Sequence, residues 1–220
     1  DLCKVACERA LDAAGMEAED IDLLILATIT PDTHCPAGAN WLESKLGCTN
    51  AVSFDVTAAC SGFLFALHVA DNMIKSGVNK KALVVAGEIM SRVVNWKERE
   101  SCILWGDGAG AAVVTQSDNG AQILSTHIHT DGPGGETLLM PGGGSKTTPI
   151  SYESVDKGLH YLKMIEANKS FKVAVNRFAE ASEEATAFSG YTIDDVDLII
   201  PHQANLRILQ GMAKKLAVPM

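Results

Sequence analysis

Two places in this sequence hold side chains that could do covalent chemistry. The first is Asp55-Val56-Thr57-Ala58-Ala59-Cys60-Ser61-Gly62-Phe63, which sets Cys60 on a tight turn between an apolar strand and a long apolar helix. Unpaired amides and the macrodipole at a helix N-terminus favour thiolate over thiol. Ala58, Ala59 and Gly62 leave room for a thioester to approach, and a thiolate so placed suits acyl transfer, because attack and departure are both by sulfur. The alternative is a small core residue opening a buried helix, since cysteine is often buried and inert. The second place is Pro201-His202-Gln203-Ala204-Asn205-Leu206-Arg207, which follows the apolar run VDLII. At the carboxyl end of a strand and the start of a helix, His202 could donate a hydrogen bond to a developing oxyanion or enolate. Here the alternative is a helix-capping cluster with a surface histidine. Both segments close the same kind of strand, so a shared site is expected.

Other chemistry-bearing patterns are less specific. GDGAGAA lacks the strand–GxGxxG–helix context and the lysine of a phosphate loop, so its glycines are expected to serve a tight turn and close sheet packing. His127 and His129 alternate on an expected strand and would share a face, but no third ligand accompanies them and no metal is expected. The six cysteines form no CxxC pair, which supports neither metal ligation nor a disulfide framework. Cys3 and Cys7, four apart on a helix, are expected to pack.

The elements that must position these groups follow from apolar periodicity. Helices are predicted over 1–15, 37–46, 61–76, 168–188 and 204–216, and strands over 22–28, 51–56, 81–86 and 196–200. A strand pair is expected from GDGAGAAVV to about residue 129. The helix after Cys60 is expected to bury Phe63, Leu67, Ala70 and Ile74. Residues 131–151 read as a Gly/Pro-rich loop. Strands alternating with helices predict an α/β protein whose mostly parallel sheets are covered on both faces.

An internal repeat adds to this. Gly15 and Gly190 are 175 residues apart, and the same offset pairs Asp20 with Asp195, Asp22 with Asp197 and Leu23 with Leu198. Both copies read helix, glycine, acidic turn, apolar run. A duplicated α/β architecture is expected, with a first half over 1–130 and the start of a second over 131–220. Asp1 opens directly into a helix and Met220 follows Val218-Pro219, so the sequence reads as an internal piece of a longer protein. A net charge of −9 argues against a nucleic-acid partner, and no apolar run approaches the roughly 20 residues of a membrane span. A cytoplasmic setting is expected.

The run DVTAACSGFLFALHVADNMIKSG, together with GDGAGAAVV and PHQANLRI in the same order, resembles β-ketoacyl-acyl-carrier-protein synthase III. The resemblance implies a thiolase-like fold, layered αβαβα with two pseudo-repeated halves, the second cut short. It implies a homodimer and a two-stage condensation without a resident cofactor. Cys60 would take an acyl group from acyl-coenzyme A. Malonyl-acyl carrier protein would then lose carbon dioxide, and its enolate carbon would attack the acyl-cysteine while His202 stabilises the thioester oxygen. Arg99 and Asn205, with Asn168 as a further candidate, would contact coenzyme A, and Arg207 and Lys214 would face the acidic carrier protein. The loop at 131–151 would lie beside the acyl pocket. Cys35 stands where many relatives carry a phenylalanine that closes the partner's acyl pocket, which implies room for longer primers. The family's catalytic asparagine, in a Gly-Asn-Thr-type motif beyond the histidine, lies outside this sequence, so the piece alone is expected to be inactive. Two other readings stay open: a polyketide, alkylquinolone or HMG-CoA-synthase-like priming enzyme, or a catalytically inactive thiolase-like binding protein.

Overall fold

The run Leu23–Ala27 is buried at all five positions, the signature of a strand covered on both faces. In the computed structural model this strand, β1, is central. The structure describes residues 1–117, 120–145 and 149–220, with the side chains of Glu100 and of 167–169 outside the described set. β2 (Val52–Val56) and β3 (Lys81–Glu88) flank β1, both parallel to it, and β4 (Gly108–Thr115) pairs antiparallel with β3. The sheet order is β2-β1-β3-β4.

Helices cover both faces of this sheet. On one, Cys7 and Leu11 of α1 (Leu2–Ala14) and Ala39 and Leu42 of α2 (Gly38–Leu46) pack on Leu24, Leu26, Leu83 and Val85. On the other, Ala66, Ala70 and Ile74 of α3 (Gly62–Lys75) pack on Leu23, Ile25, Ala27 and Val84. Burying each of the larger side chains is worth roughly 1.5–3 kcal/mol, so the two clusters supply the main stabilisation of the layer. The buried stripe of α3 differs from the predicted one. It is Gly62, Ala66, Ala70 and Ile74, while Phe63 and Leu67 are only half-buried. Small residues let the helix approach closely: a Cβ at Gly62 would meet the Ala27 Cβ at 3.0 Å.

The chain divides into two compact units, 1–90 with 106–128 and 91–105 with 129–220. The first is the αβα layer just described. In the second lie α4 (Arg99–Cys102), β5 (Leu138–Leu139), α5 (Tyr152–Asp156), β6 (Lys163–Met164), α6 (Ala167–Phe188) and α7 (Leu206–Leu216). β5 and β6 form a short antiparallel pair. Ala179 of α6 packs with Met212 and Leu216 of α7, and Gly211 admits Val175 so closely that a Cβ there would sit 2.8 Å from its Cγ2.

Two predicted strands are not formed. Residues 196–200 take no ladder, and Leu198 and Ile200 are 72% and 79% exposed. A strand needs a hydrogen-bonded neighbour, and no described strand offers this run one. Residues 121–129 are also irregular. That segment is held instead by a side-chain bond, His68 Nδ1 to Thr126 Oγ1 at 2.6 Å. The HIH spacing therefore places its two histidines on no common strand face. His129 Nε2 meets the Glu184 carboxylate at 2.7 Å.

The repeat is visible in the local structure. α1 ends at Gly15 with φ 62° and α6 is followed by Gly190 with φ 79°, the left-handed conformation that glycine adopts without steric cost. Each is followed by a 3₁₀ turn, Ala18–Asp20 and Ile193–Asp195, closed by a reciprocal capping box, Glu17 with Asp20 and Thr192 with Asp195. These positions match at the offset seen in the sequence.

Candidate active site

β1 and β2 end together, Ala27 opposite both Val56 and Ala86, and β3 runs two residues further to Glu88. Thr28, the Thr57–Cys60 turn and Glu88 therefore emerge at one edge of the sheet, the carboxyl edge where open α/β sheets bind ligands. The turn after β2 is tight. Ala59 adopts φ 46°, a left-handed conformation costing a non-glycine residue roughly 1–2 kcal/mol. A 3₁₀ turn, Ala59–Ser61, leads straight into α3. The result is an exposed Cys60 at the start of a long helix, on a backbone that its surroundings hold in a strained form.

The thiolate expectation is corrected here. Burial around the sulfur is the largest influence on the Cys60 thiol and pushes its pKa above 9.0, the Cys60 backbone amide pulls it down, and the Glu88 carboxylate pushes it up again. Desolvation and a like charge outweigh the pull of the backbone amide. Burial likewise raises the thiol of the fully buried Cys7, to about 12.

Sequence reasoning missed Glu88. Its carboxylate accepts from the Ile29 N–H at 2.9 Å, from the Thr28 hydroxyl at 3.2 Å and from the Thr30 hydroxyl. The signal available was a lone acidic residue ending an apolar strand at the carboxyl edge. Asp55 was also passed over as a structural residue. It accepts from the Gly38 and Ala39 N–H groups, so it caps α2. Cys35 is exposed on the loop between β1 and α2.

In the second unit, His202 is exposed in the turn before α7, its carbonyl accepting from the Ala204 N–H at 3.0 Å. Asn205 is the N-cap of α7: its side-chain oxygen accepts from the Ile208 N–H at 3.0 Å. This is the capping role weighed as the alternative, and it leaves the Nδ2 amide as a donor. Arg207 and Lys214 are exposed and seven residues apart, on one face of α7. Arg99 is exposed at the start of α4. Asn168 falls in the first turn of α6, but its side chain lies outside the described residues.

From Gly108 onward GDGAGAA is the start of β4, paired with β3 residue by residue, and not a phosphate loop. Nothing described lies within 4 Å of a Cβ built at Gly108 or Gly110, so the expected close sheet packing at these glycines is not seen. The close approach is at Gly87 of β3, where an added Cβ would meet the Cys3 sulfur and lie 3.4 Å from the Ala109 Cβ.

An α/β layer with a cysteine on a strained turn at its carboxyl edge is the thiolase-like arrangement of the condensing enzymes. Solved structures agree. 3-Oxoacyl-[acyl-carrier-protein] synthase III of Aquifex aeolicus superposes with a TM-score of 0.88 at 38% identity, covering 99% of this chain and 65% of that one. The priming β-ketosynthase of the R1128 polyketide pathway gives 0.84 at 35%, covering 99% and 63%. Residues 54–132 match the family model for 3-oxoacyl-[acyl-carrier-protein (ACP)] synthase III, and 186–220 match the model for its C-terminal region. The β-ketoacyl-[acyl-carrier-protein] synthase III of Caldanaerobacter subterraneus is 43% identical over 216 residues, 98% of this chain and 65% of the relative. That of Thiobacillus denitrificans is 45% identical over 224 residues, 100% of this chain and 66% of the relative. The chain belongs to the 3-oxoacyl-[acyl-carrier-protein] synthase III family, and it spans about 65% of the length of these curated relatives.

Proposed function

We propose that this chain carries the acyl-accepting part of an enzyme that condenses an acyl-CoA primer with malonyl-acyl carrier protein, initiating fatty-acid synthesis. The observation that carries this reading is the exposed Cys60 on the Ala59 turn, within the segment that matches the family model. The Cys60 sulfur attacks the acyl-CoA carbonyl, the carbon–sulfur bond to coenzyme A breaks, and coenzyme A leaves as its thiol. Malonyl-acyl carrier protein then loses carbon dioxide, and the resulting carbanion displaces Cys60 from the acyl group. His202 donates a hydrogen bond to the thioester oxygen as the enolate forms.

Arg99, Asn168 and Asn205 contact coenzyme A in this reading, which enters as a thioester substrate and not as a resident cofactor. Arg207 and Lys214 present two cations from one helix face to an acidic carrier protein. The loop at 131–151, of which 146–148 lie outside the described residues, borders the acyl pocket in this reading, and residues 1–130 and 131–220 form the first half and the start of the second. The functional enzyme is a homodimer. Six free cysteines fit a reducing, cytoplasmic compartment. No helix among the described residues is long and apolar enough to cross a membrane.

The test is mass spectrometry of the full-length protein after treatment with acetyl-CoA. A mass increment of one acetyl group on the Cys60 peptide, absent in Cys60→Ala, is expected, and acetylation elsewhere or nowhere defeats the reading. A polyketide-priming role is a second reading, supported by the likeness to the R1128 enzyme and by the small, exposed Cys35. Octanoyl-CoA priming as fast as acetyl-CoA priming would favour it, and strict acetyl selectivity would end it.

A further inference from the structure

We propose that Glu88 is a positioning residue for Cys60, fixing the end of β1 against which the nucleophile's turn is built. The inference rests on the reading of Cys60 as the acyl acceptor. Its geometry is a closed set of bonds. Glu88 accepts from the Thr28 hydroxyl, the Ile29 N–H and the Thr30 hydroxyl. The Thr28 oxygen in turn accepts from the Thr30 N–H at 3.1 Å, and the Thr30 oxygen from the Ile89 N–H at 2.8 Å. The residues so fixed support the turn directly. The Thr28 N–H donates to the Val56 carbonyl at 3.2 Å, four residues before Cys60, and Ala27 is the residue on which Gly62 rests. Turn and helix start are thus both seated on a strand end that one carboxylate ties to β3. Hydrogen bonds to a charged acceptor are roughly twice as strong as neutral ones, so this tie is stiff.

The carboxylate also acts through its charge, raising the Cys60 thiol after burial has done so. Asp32, Lys45 and Asp1 line the same cavity as Glu88, and the Lys45 ammonium meets the Asp1 carboxylate at 3.2 Å. Cys3 of α1 is pushed up by burial, with Asp32 and Glu88 adding to it. Asp55 of β2 is committed to the α2 amides. Glu88 therefore has two separable effects. Its bonds hold the strand end under the nucleophile's turn, and its charge adds to the rise of the thiol that burial begins.

The experiment measures the pH profile of Cys60 alkylation by iodoacetamide, read on the Cys60 peptide by mass spectrometry, alongside the rate of Cys60 acetylation by acetyl-CoA. Glu88→Gln keeps most of the shape and removes the charge. It is expected to move the alkylation midpoint to lower pH and speed the reaction at pH 8 about threefold. Thr30→Val keeps the charge and cuts one tie, so the midpoint stays while acetylation slows about fivefold. Thr30→Val also carries the test should the Glu88 variant fail to fold. Parental profiles in Glu88→Gln, or parental acetylation in Thr30→Val, would overturn the proposal. If the parent itself takes no acetyl group, the acyl-acceptor reading fails instead, while the alkylation profiles still report on Glu88.

Discussion

The carboxylate of Asp55 accepts from the Gly38 N–H at 2.8 Å and, with its other oxygen, from the Ala39 N–H at 2.7 Å, so the strand that delivers Cys60 also caps the helix beside it. Helix N-termini leave their first amides without intrahelical partners, and a charged acceptor there is worth more than a neutral one. Asp55→Ala is expected to lower stability by about 1–3 kcal/mol, read as a shift in the urea midpoint at constant slope. Asp55→Asn, which keeps one acceptor oxygen, should lose less. An unchanged midpoint in Asp55→Ala would mean the two bonds contribute no net stability.

Ala59 gives the second prediction. Its φ of 46° is a conformation that glycine adopts freely and a β-branched residue hardly at all. Ala59→Gly relieves roughly 1–2 kcal/mol of strain but adds roughly 0.5–1 kcal/mol of unfolded-state entropy, so a gain of up to about 1.5 kcal/mol is expected. Ala59→Val should cost about 2 kcal/mol or more. If valine were tolerated at no cost in thermal unfolding, the turn would not be held in this conformation.

These two residues show what the sequence disclosed and what it withheld. The central strand was legible because five consecutive apolar residues have one stable use in an α/β layer, and the helices because their periodicity and glycine stops agree. The repeat was legible because left-handed glycines and capping boxes are written in residue type. The run at 196–200 misled because periodicity reports an apolar segment but not its hydrogen-bonding partner, and no described strand pairs with it. Cys60 was found from local context, whereas Glu88 was not. Its partners Thr28 and Thr30 are 60 and 58 positions away, and only the register of β1 with β3 brings them together. The direction of the Cys60 thiol was hidden for the same reason: the helix start is written locally, but the burial and the carboxylate that raise the thiol are not.

A third prediction concerns alkaline stability. Burial is the main cause raising the Cys7 thiol from 9.0 to about 12 and the Cys48 thiol to about 11. Thiols raised on folding hold their protons in the native state and lose them in the unfolded chain. The stability they contribute is complete below pH 9 and is lost as pH climbs from 9 towards 11 and 12. Each contributes a slope of about 1.4 kcal/mol per pH unit within its window. Cys7→Ala should therefore unfold less steeply with pH between 9 and 11 than the parent, whatever it loses at neutral pH from the missing sulfur. Parallel slopes would show that Cys7 ionises as easily folded as unfolded.

Asn205 permits a separation of two roles that the sequence left undivided. Its oxygen caps α7 by accepting from the Ile208 N–H at 3.0 Å, and its Nδ2 amide is the group that would donate to coenzyme A. Asn205→Ala removes both, and it is expected to cost about 1 kcal/mol of stability as well as substrate affinity. Asn205→Asp keeps an acceptor at the cap and adds a charge that the helix N-terminus favours, yet it replaces the donor with a second acceptor. Stability at the parental level or above is expected, with a KM for acetyl-CoA raised about tenfold, the loss of roughly 1.4 kcal/mol that a donor to a charged or polar ligand supplies. Urea unfolding and acetylation kinetics on the same preparation read the two effects apart. A KM unchanged in Asn205→Asp would reduce Asn205 to a helix cap and remove it from the substrate site.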